Sequence, residues 1–215
     1  MARLPIASER RDDDDVISTL AGNGQAGFAD GFCAAVRFNQ LMGVVVDAQG
    51  AIFVANNVNH CVRLVAPGDG AVTTLVGVGG EKGFADRQRA TARFNEPCGL
   101  ALDVDGNLIV ADVVNNCIRQ VTTAEGRVTT VAGHAGHRGF ADGKGAATRF
   151  NSPHGVAVDS NNNILVVDTD NHRIQMIAGA NARMTTVSGS SNAGSIDGTS
   201  ARFNAPMSLT LDEGG

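Results

Sequence analysis

The 215-residue sequence contains no tryptophan and no tyrosine, so its aromatic content is nine phenylalanines. It also lacks any run of 18 apolar residues, which excludes a membrane-spanning helix of ordinary length. Only 18% of residues are charged, and the formal net charge is −5. That balance argues against general phosphate-backbone binding, which shows as a basic face or basic overall charge. The segment from Met1 to Asp15 carries Arg3, Arg10, Arg11 and four successive aspartates, with no apolar stretch of the kind a secretory leader needs. It reads as a disordered charged tail. The four cysteines, Cys33, Cys61, Cys98 and Cys117, form no Cys-x-x-Cys pair. Unpaired thiols and no leader together point to a reducing, cytoplasmic setting. Glycine, by contrast, is abundant at 27 residues, and hydrophobic residues make up 43%. Many short strands joined by tight turns are the expected result.

An internal repeat sets the architecture. Arg-Phe-Asn occurs at 37–39, 93–95, 149–151 and 202–204, with the Phe positions 56, 56 and 53 residues apart. Nine residues after each Phe stands an aspartate: Asp47, Asp103, Asp159 and Asp212. Gly-Phe-Ala-Asp precedes the first three copies at 27–30, 83–86 and 139–142 and weakens to Gly194-Ser195-Ile196-Asp197 in the fourth. Within the third unit, Gly155–Asp159, Ile164–Asp168, His172–Ile177 and Met184–Val187 read as four successive strands separated by turn residues. Four antiparallel strands, radially repeated, make the blade of a β-propeller. The predicted fold is all-β: a partial β-propeller of three full four-stranded blades with single flanking strands at Val16–Ala21 and Met207–Asp212. The units run at about 16–77, 78–133, 134–189 and 190–215.

The string Phe150-Asn151-Ser152-Pro153-His154-Gly155-Val156-Ala157-Val158-Asp159, with Val167-Asp168 and Asn171-His172-Arg173-Ile174 after it, resembles an NHL repeat. The signature tripeptides are Asn59-His60-Cys61, Asn115-Asn116-Cys117 and Asn171-His172-Arg173; the Leu is absent throughout and Asn116 replaces one His. The resemblance covers roughly residues 16–212. It implies a six-bladed propeller of the NHL/TolB-like type, used as a platform for protein or RNA partners. Three blades then imply a fragment of a longer propeller, or self-association through open edges. More distant comparisons are gluconolactonase-like and amidating-lyase propellers.

Three groups of recurrent residues invite a chemical reading. Asp30 with Arg37, Asp86 with Arg93, Asp142 with Arg149 and Asp197 with Arg202 suit an ion-pair staple within each loop. Alternatively, Arg37, Arg93, Arg149 and Arg202 gather as an anion-binding set. Asn56, Asp112 and Asp168, each followed three residues later by Asn, suit Asx turns or an oxygen-lined divalent cation site. Met42, Cys98, His154 and Met207 occupy one repeat position and offer soft or borderline metal donors. In amidating lyases a Pro-His pair at this position supplies zinc ligands, and only Pro153-His154 matches it. No activated nucleophile is identifiable. The sequence therefore reads as a non-catalytic scaffold for protein or peptide partners, with no cofactor. RNA is disfavoured by the charge. A metal-dependent hydrolase or lyase, using a divalent cation, is the alternative.

Overall fold

A computed structural model describes residues 18–212. The charged tail and the first two residues of the expected strand at Val16–Ala21 lie outside them. Three four-stranded antiparallel blades follow one another along the chain. The first is β1 (Leu41–Val46), β2 (Ile52–Asn56), β3 (Cys61–Val65) and β4 (Val72–Gly77). The second is β5 (Pro97–Leu102), β6 (Leu108–Asp112), β7 (Cys117–Val121) and β8 (Val128–Gly133). A two-residue strand, β9 (Gly143–Lys144), precedes the third: β10 (Pro153–Val158), β11 (Ile164–Asp168), β12 (Arg173–Ile177) and β13 (Arg183–Gly189). Short β-branched runs form these strands, and side-chain-capped turns separate them. Asp47, Asp103 and Asp159, for example, each accept two backbone amides of their own turn through Oδ1, at 2.7–3.0 Å.

The segment entering each blade folds back along that blade's own outer strand. Gly31 bridges to Val72, Gln88 to Arg127, and β9 pairs with β13. Blades one and two share a core in which Phe53, Ala55, Val62 and Leu75 meet Phe94, Leu100, Leu108 and Val110. Ile109, Ala111 and Ile118 on the opposite face of the second blade meet Phe150, Val156, Ile164 and Val166 of the third. Burying both faces of a middle blade is what the nearly continuous apolar character of β2, β6 and β11 requires.

The innermost strands approach one another unusually closely. A Cβ added to Gly43 would stand 2.3 Å from the Cys98 carbonyl oxygen, and one on Gly99 would stand 2.3 Å from that of His154. Gly155 meets the Met207 carbonyl in the same way, at 2.9 Å. Only glycine permits this contact. The flanking strands are corrected. Residues 18–21 and 207–212 form no ladder, although Met207 and Ser208 lie against Gly155 as a fourth inner segment. Their expected strand character needs a neighbouring strand of their own blade, and none of the described residues supplies one.

Candidate functional site

Register pairing puts Leu41, Asn56, Cys61 and Gly77 on one rim of the first blade. Their repeat equivalents, Pro97, Asp112, Cys117 and Gly133, then Pro153, Asp168, Arg173 and Gly189, mark the same rim of the other two. All five histidines of the chain lie at or just beyond this rim, in the signature turns, in the connection after Gly133, or at the start of β10.

Under the rim lies a buried polar frame. Asp112 Oδ1 accepts the Asn95 amide at 2.8 Å, while Oδ2 accepts Asn115 Nδ2 at 2.9 Å and Arg119 Nη1 at 2.6 Å. Asp168 accepts the Asn151 amide at 2.8 Å and Asn171 Nδ2 at 2.7 Å. Asn56 Oδ1 accepts the Asn39 amide at 2.8 Å. The signature asparagines Asn59, Asn115 and Asn171 each donate to a carbonyl of the entering segment, Gly27, Gly83 and Gly139, at 2.7 Å. These carboxylates therefore reach 17 residues back to the entering segment rather than closing local Asx turns. Their oxygens are already engaged, and the divalent-cation reading does not fit them. Burial pushes the Asp112 and Asp168 carboxyls up to about 6, against the pull of the surrounding donors. Burial also pushes the Cys61 and Cys117 thiols up to about 12 and raises Cys98, so none of the three is a ready thiolate.

The middle residue of each signature joins its blade to the next repeat unit. His60 Nδ1 accepts the Glu96 amide at 3.1 Å, Asn116 Oδ1 the Ser152 amide at 2.9 Å, and His172 Nδ1 the Ala205 amide at 3.1 Å. His60, Asn116 and His172 all have left-handed backbones, with φ of 54°, 55° and 56°. Asn replaces His without loss because it supplies the same acceptor and tolerates that conformation. An acceptor nitrogen must be unprotonated. Burial, opposed by Glu96 and aided by Lys82, lowers the His60 pKa from 6.5. Between the lowered value and 6.5 the unfolded chain binds the extra proton, so the bond's contribution is complete above 6.5 and lost as pH falls below it. His60→Asn should remove this part of the pH dependence. Denaturant unfolding at pH 7.5 and pH 5 should show wild type losing more stability than the variant on acidification. Equal losses would contradict the bond.

The staple proposed within each loop is corrected. Asp30 pairs with Arg63 on β3, and Asp86 with Arg119 on β7, each at 2.6 Å. Both arginine side chains are fully buried, over Phe28 and Phe84 respectively. Arg93 instead donates to the Ala90 and Ala92 carbonyls and to Glu81, and Arg149 to the Ala146 and Thr148 carbonyls. Both therefore brace the short 3-10 turns at Arg89–Thr91 and Gly145–Ala147. Arg37 and Arg202 are exposed, beside backbone bridges to Ala29 and Ile196. The arginines that matter most structurally, Arg63 and Arg119, were signalled by their 56-residue spacing inside apolar strands.

Each innermost strand carries a β-bulge, between Leu41 and Val44, Pro97 and Leu100, and Pro153 and Val156. Met42, Cys98 and His154 are the first bulged residues, and bulges re-aim side chains at such places. Met42 and Met207 are exposed, Cys98 is buried and His154 is half-buried. His154 Nδ1 lies 2.8 Å from the Ser152 carbonyl, so that nitrogen carries the proton and Nε2 is the free one. Among the described residues no group of three or more His, Cys, Asp or Glu is arranged to hold a metal ion.

The NHL-repeat family model matches residues 94–121 and 150–176. NHL repeat-containing protein 2 of Bos taurus is 32% identical over 161 residues, 68% of this chain and 22% of that protein. An auxiliary nutrient binding protein from Bacteroides thetaiotaomicron VPI-5482 superposes with a TM-score of 0.66 at 18% identity, over 83% of this chain and 44% of that one. A gluconolactonase from Xanthomonas campestris superposes with a TM-score of 0.50 at 15% identity, over 68% of this chain and 46% of that one. The last two likenesses are of fold alone. The chain spans about a fifth of the length of the curated relatives it matches. No helix among the described residues is long and apolar enough to cross a membrane. Matched repeats, signature turns that tie one blade to the next, and an all-β blade architecture agree: the chain belongs to the NHL-repeat β-propeller family.

Proposed function

We propose that the chain is a non-catalytic binding scaffold that presents its signature-turn rim to a protein or peptide partner. The observation that carries this reading is the division of labour among polar groups. The repeated ones, Asp112, Asp168, Arg63, Arg119, His60 and His172, are engaged in bonds within the molecule. The irregular ones, in the connections at 78–82 and 134–138, stand outward on a rigid frame, as recognition loops do. Among them His134 and His137 stack edge to face, with ring centroids 4.2 Å apart. A net charge of −5 favours a protein or peptide over RNA.

Selection from a displayed peptide library tests the reading. Binders should weaken at least tenfold with Lys82→Glu combined with Arg138→Glu, and be unaffected by Arg127→Glu just before the outer strand β8. Binders indifferent to the rim, or none, would contradict it. The arginines Arg37 and Arg202 belong to the same proposal as exposed cations near the entering segments, Arg93 and Arg149 only through what their carbonyl bonds leave free.

The open side of the first blade also favours a partner of the same kind. Val44 is 62% exposed, whereas its repeat equivalents Leu100 and Val156 are each 7% exposed beneath a neighbouring blade. Self-association through this face follows, and sedimentation over a dilution series should show the mass rising with concentration; a monomer throughout would contradict it.

A second reading rests on the bulges. Met42, Cys98 and His154 at the three bulges, with Met207 at the same repeat position, offer thioether, thiol and imidazole donors, which suit a soft cation better than a hard divalent one. A metal-dependent hydrolase or lyase requires binding here. Titration with Cu+ and Zn2+ should then depend on His154 and Cys98; equal behaviour of His154→Ala and wild type would remove this reading.

A further inference from the structure

In the first two blades the same groups meet around a guanidinium. Arg63 and Arg119 donate through Nη2 to the Ala29 and Ala85 carbonyls, at 2.9 and 3.1 Å, and to Asp30 and Asp86. Thr74 and Thr130 donate through Oγ1 to those carboxylates, at 3.2 and 3.1 Å. The third blade departs from this. Its residue at the arginine's repeat position is Gln175, and its arginine stands two residues earlier on the same strand face, at Arg173, where the other blades have Cys61 and Cys117. The Arg173 guanidinium lies 3.8 Å over Phe140, the equivalent of Phe28 and Phe84.

Gln175 is wholly buried, yet neither its Nε2 nor its Oε1 has a protein partner. Thr186, which faces Gln175 across the β12–β13 pair and corresponds to Thr74 and Thr130, has a buried and unpartnered Oγ1. In the other two blades the clamping arginine leaves only its Nε without a partner, whereas here both polar atoms of Gln175, the facing Thr186 Oγ1 and the Arg173 Nε are orphaned. Native interiors seldom tolerate this, because each unsatisfied group carries its full desolvation cost. A buried water typically bonds two to four polar groups. Gln175 and Thr186 offer two donors on the amide, one hydroxyl and an amide oxygen, facing one another across adjacent strands.

We propose that the third blade contains a built hydration site, in which ordered water held by Gln175 and Thr186 takes the place that a guanidinium fills in the other two blades. Water here satisfies the orphaned atoms but leaves Asp142 without the ionic clamp of Asp30 and Asp86. The entering segment 139–149 is therefore the least firmly held of the three.

Water-selective NMR on the wild-type chain tests the site directly. Cross-peaks from the Gln175 side-chain amide to long-lived water are expected, and a swap variant, Arg173→Cys with Gln175→Arg, restores the order of the other blades and refills the slot with a guanidinium. The swap should also raise the melting temperature by about 2–4 °C. Gln175→Met supplies a second measurement. If water is bound, removing its partners lowers or leaves unchanged the melting temperature; if the slot is dry, removing two orphaned atoms raises it. An amide without water cross-peaks, or a Gln175→Met chain more stable than wild type, would overturn the proposal. The wild-type spectrum gives its answer even if either variant fails to fold.

Discussion

Arg119→Met should cost roughly 3–5 kcal/mol of folding stability, among the largest losses of any single substitution in the chain. Arg119 is fully buried, and it neutralises two carboxylates at once: Asp86 at 2.6 Å and Asp112, itself fully buried, also at 2.6 Å. Methionine fills much of the same volume, so the loss reflects the charge rather than a cavity. What remains is a buried carboxylate facing only amide donors. Arg63→Met should cost clearly less. The residue at Asp112's position in the first blade is Asn56, and Asp30 is half exposed, so no buried carboxylate is stranded. Acid should partly restore Arg119→Met. The Asp112 pKa already stands above its ordinary value, at about 6, and losing Arg119 raises it further. A group whose folded pKa is raised favours the folded state at low pH, and that advantage fades as pH rises through the folded value. Urea unfolding at pH 7.5 and pH 5 measures both effects. Equal losses in the two variants, or a larger loss at pH 5, would contradict the account.

Gly99→Ala should be nearly as damaging for a different reason. The added methyl would stand 2.3 Å from the His154 carbonyl oxygen, 3.0 Å from the Val156 nitrogen and 3.1 Å from the Gly155 Cα. All three obstacles are backbone, so relief requires β5 and β10 to part and the shared core to open. About 3 kcal/mol, the upper end of overpacking costs, is the expected loss. Gly106→Ala is the control. Gly106 has a φ of +79° with nothing within 4 Å, so alanine there brings only conformational strain, about 1 kcal/mol. Comparable losses at the two glycines would mean that the inner strands are not held in the close contact described.

The strands of each blade were legible because their signal is local. Ile164–Asp168 is bounded by turn residues on both sides, and the structure gives β11 those limits. The partners of charged residues were not legible, because their contacts are distant in sequence. Asp30 and Arg37 stand seven apart in one loop, which suggests a pair; Asp30 instead reaches Arg63, 33 residues on. The alternation of polar and apolar residues from His172 to Ile177 reads as a strand with one wet face. The entering segment lies over that face, however, and Arg63, Arg119 and Gln175 are buried beneath it. Asp168 misled similarly, since a carboxylate followed by Asn three residues later resembles a turn cap. Part of that impression holds, for Asn171 does donate to it, but the other oxygen reaches the Asn151 amide. In the signature turns, the structure shows why His and Asn interchange at positions 60, 116 and 172. Both supply an acceptor to the next repeat unit, a role no single-blade pattern reveals.

The central claim is that a buried arginine on the third strand clamps the entering segment of a blade, and that the third blade lacks this clamp. Residue-resolved amide hydrogen exchange on the wild-type chain measures it most directly, because exchange reports the free energy of local opening. The bonded amides of Gly83 and Arg93 in the second entering segment correspond to those of Gly139 and Arg149 in the third. The account predicts that the first set exchanges more slowly, by about tenfold for each 1.4 kcal/mol the clamp contributes. Equal exchange in the two segments, or slower exchange in the third, would contradict it.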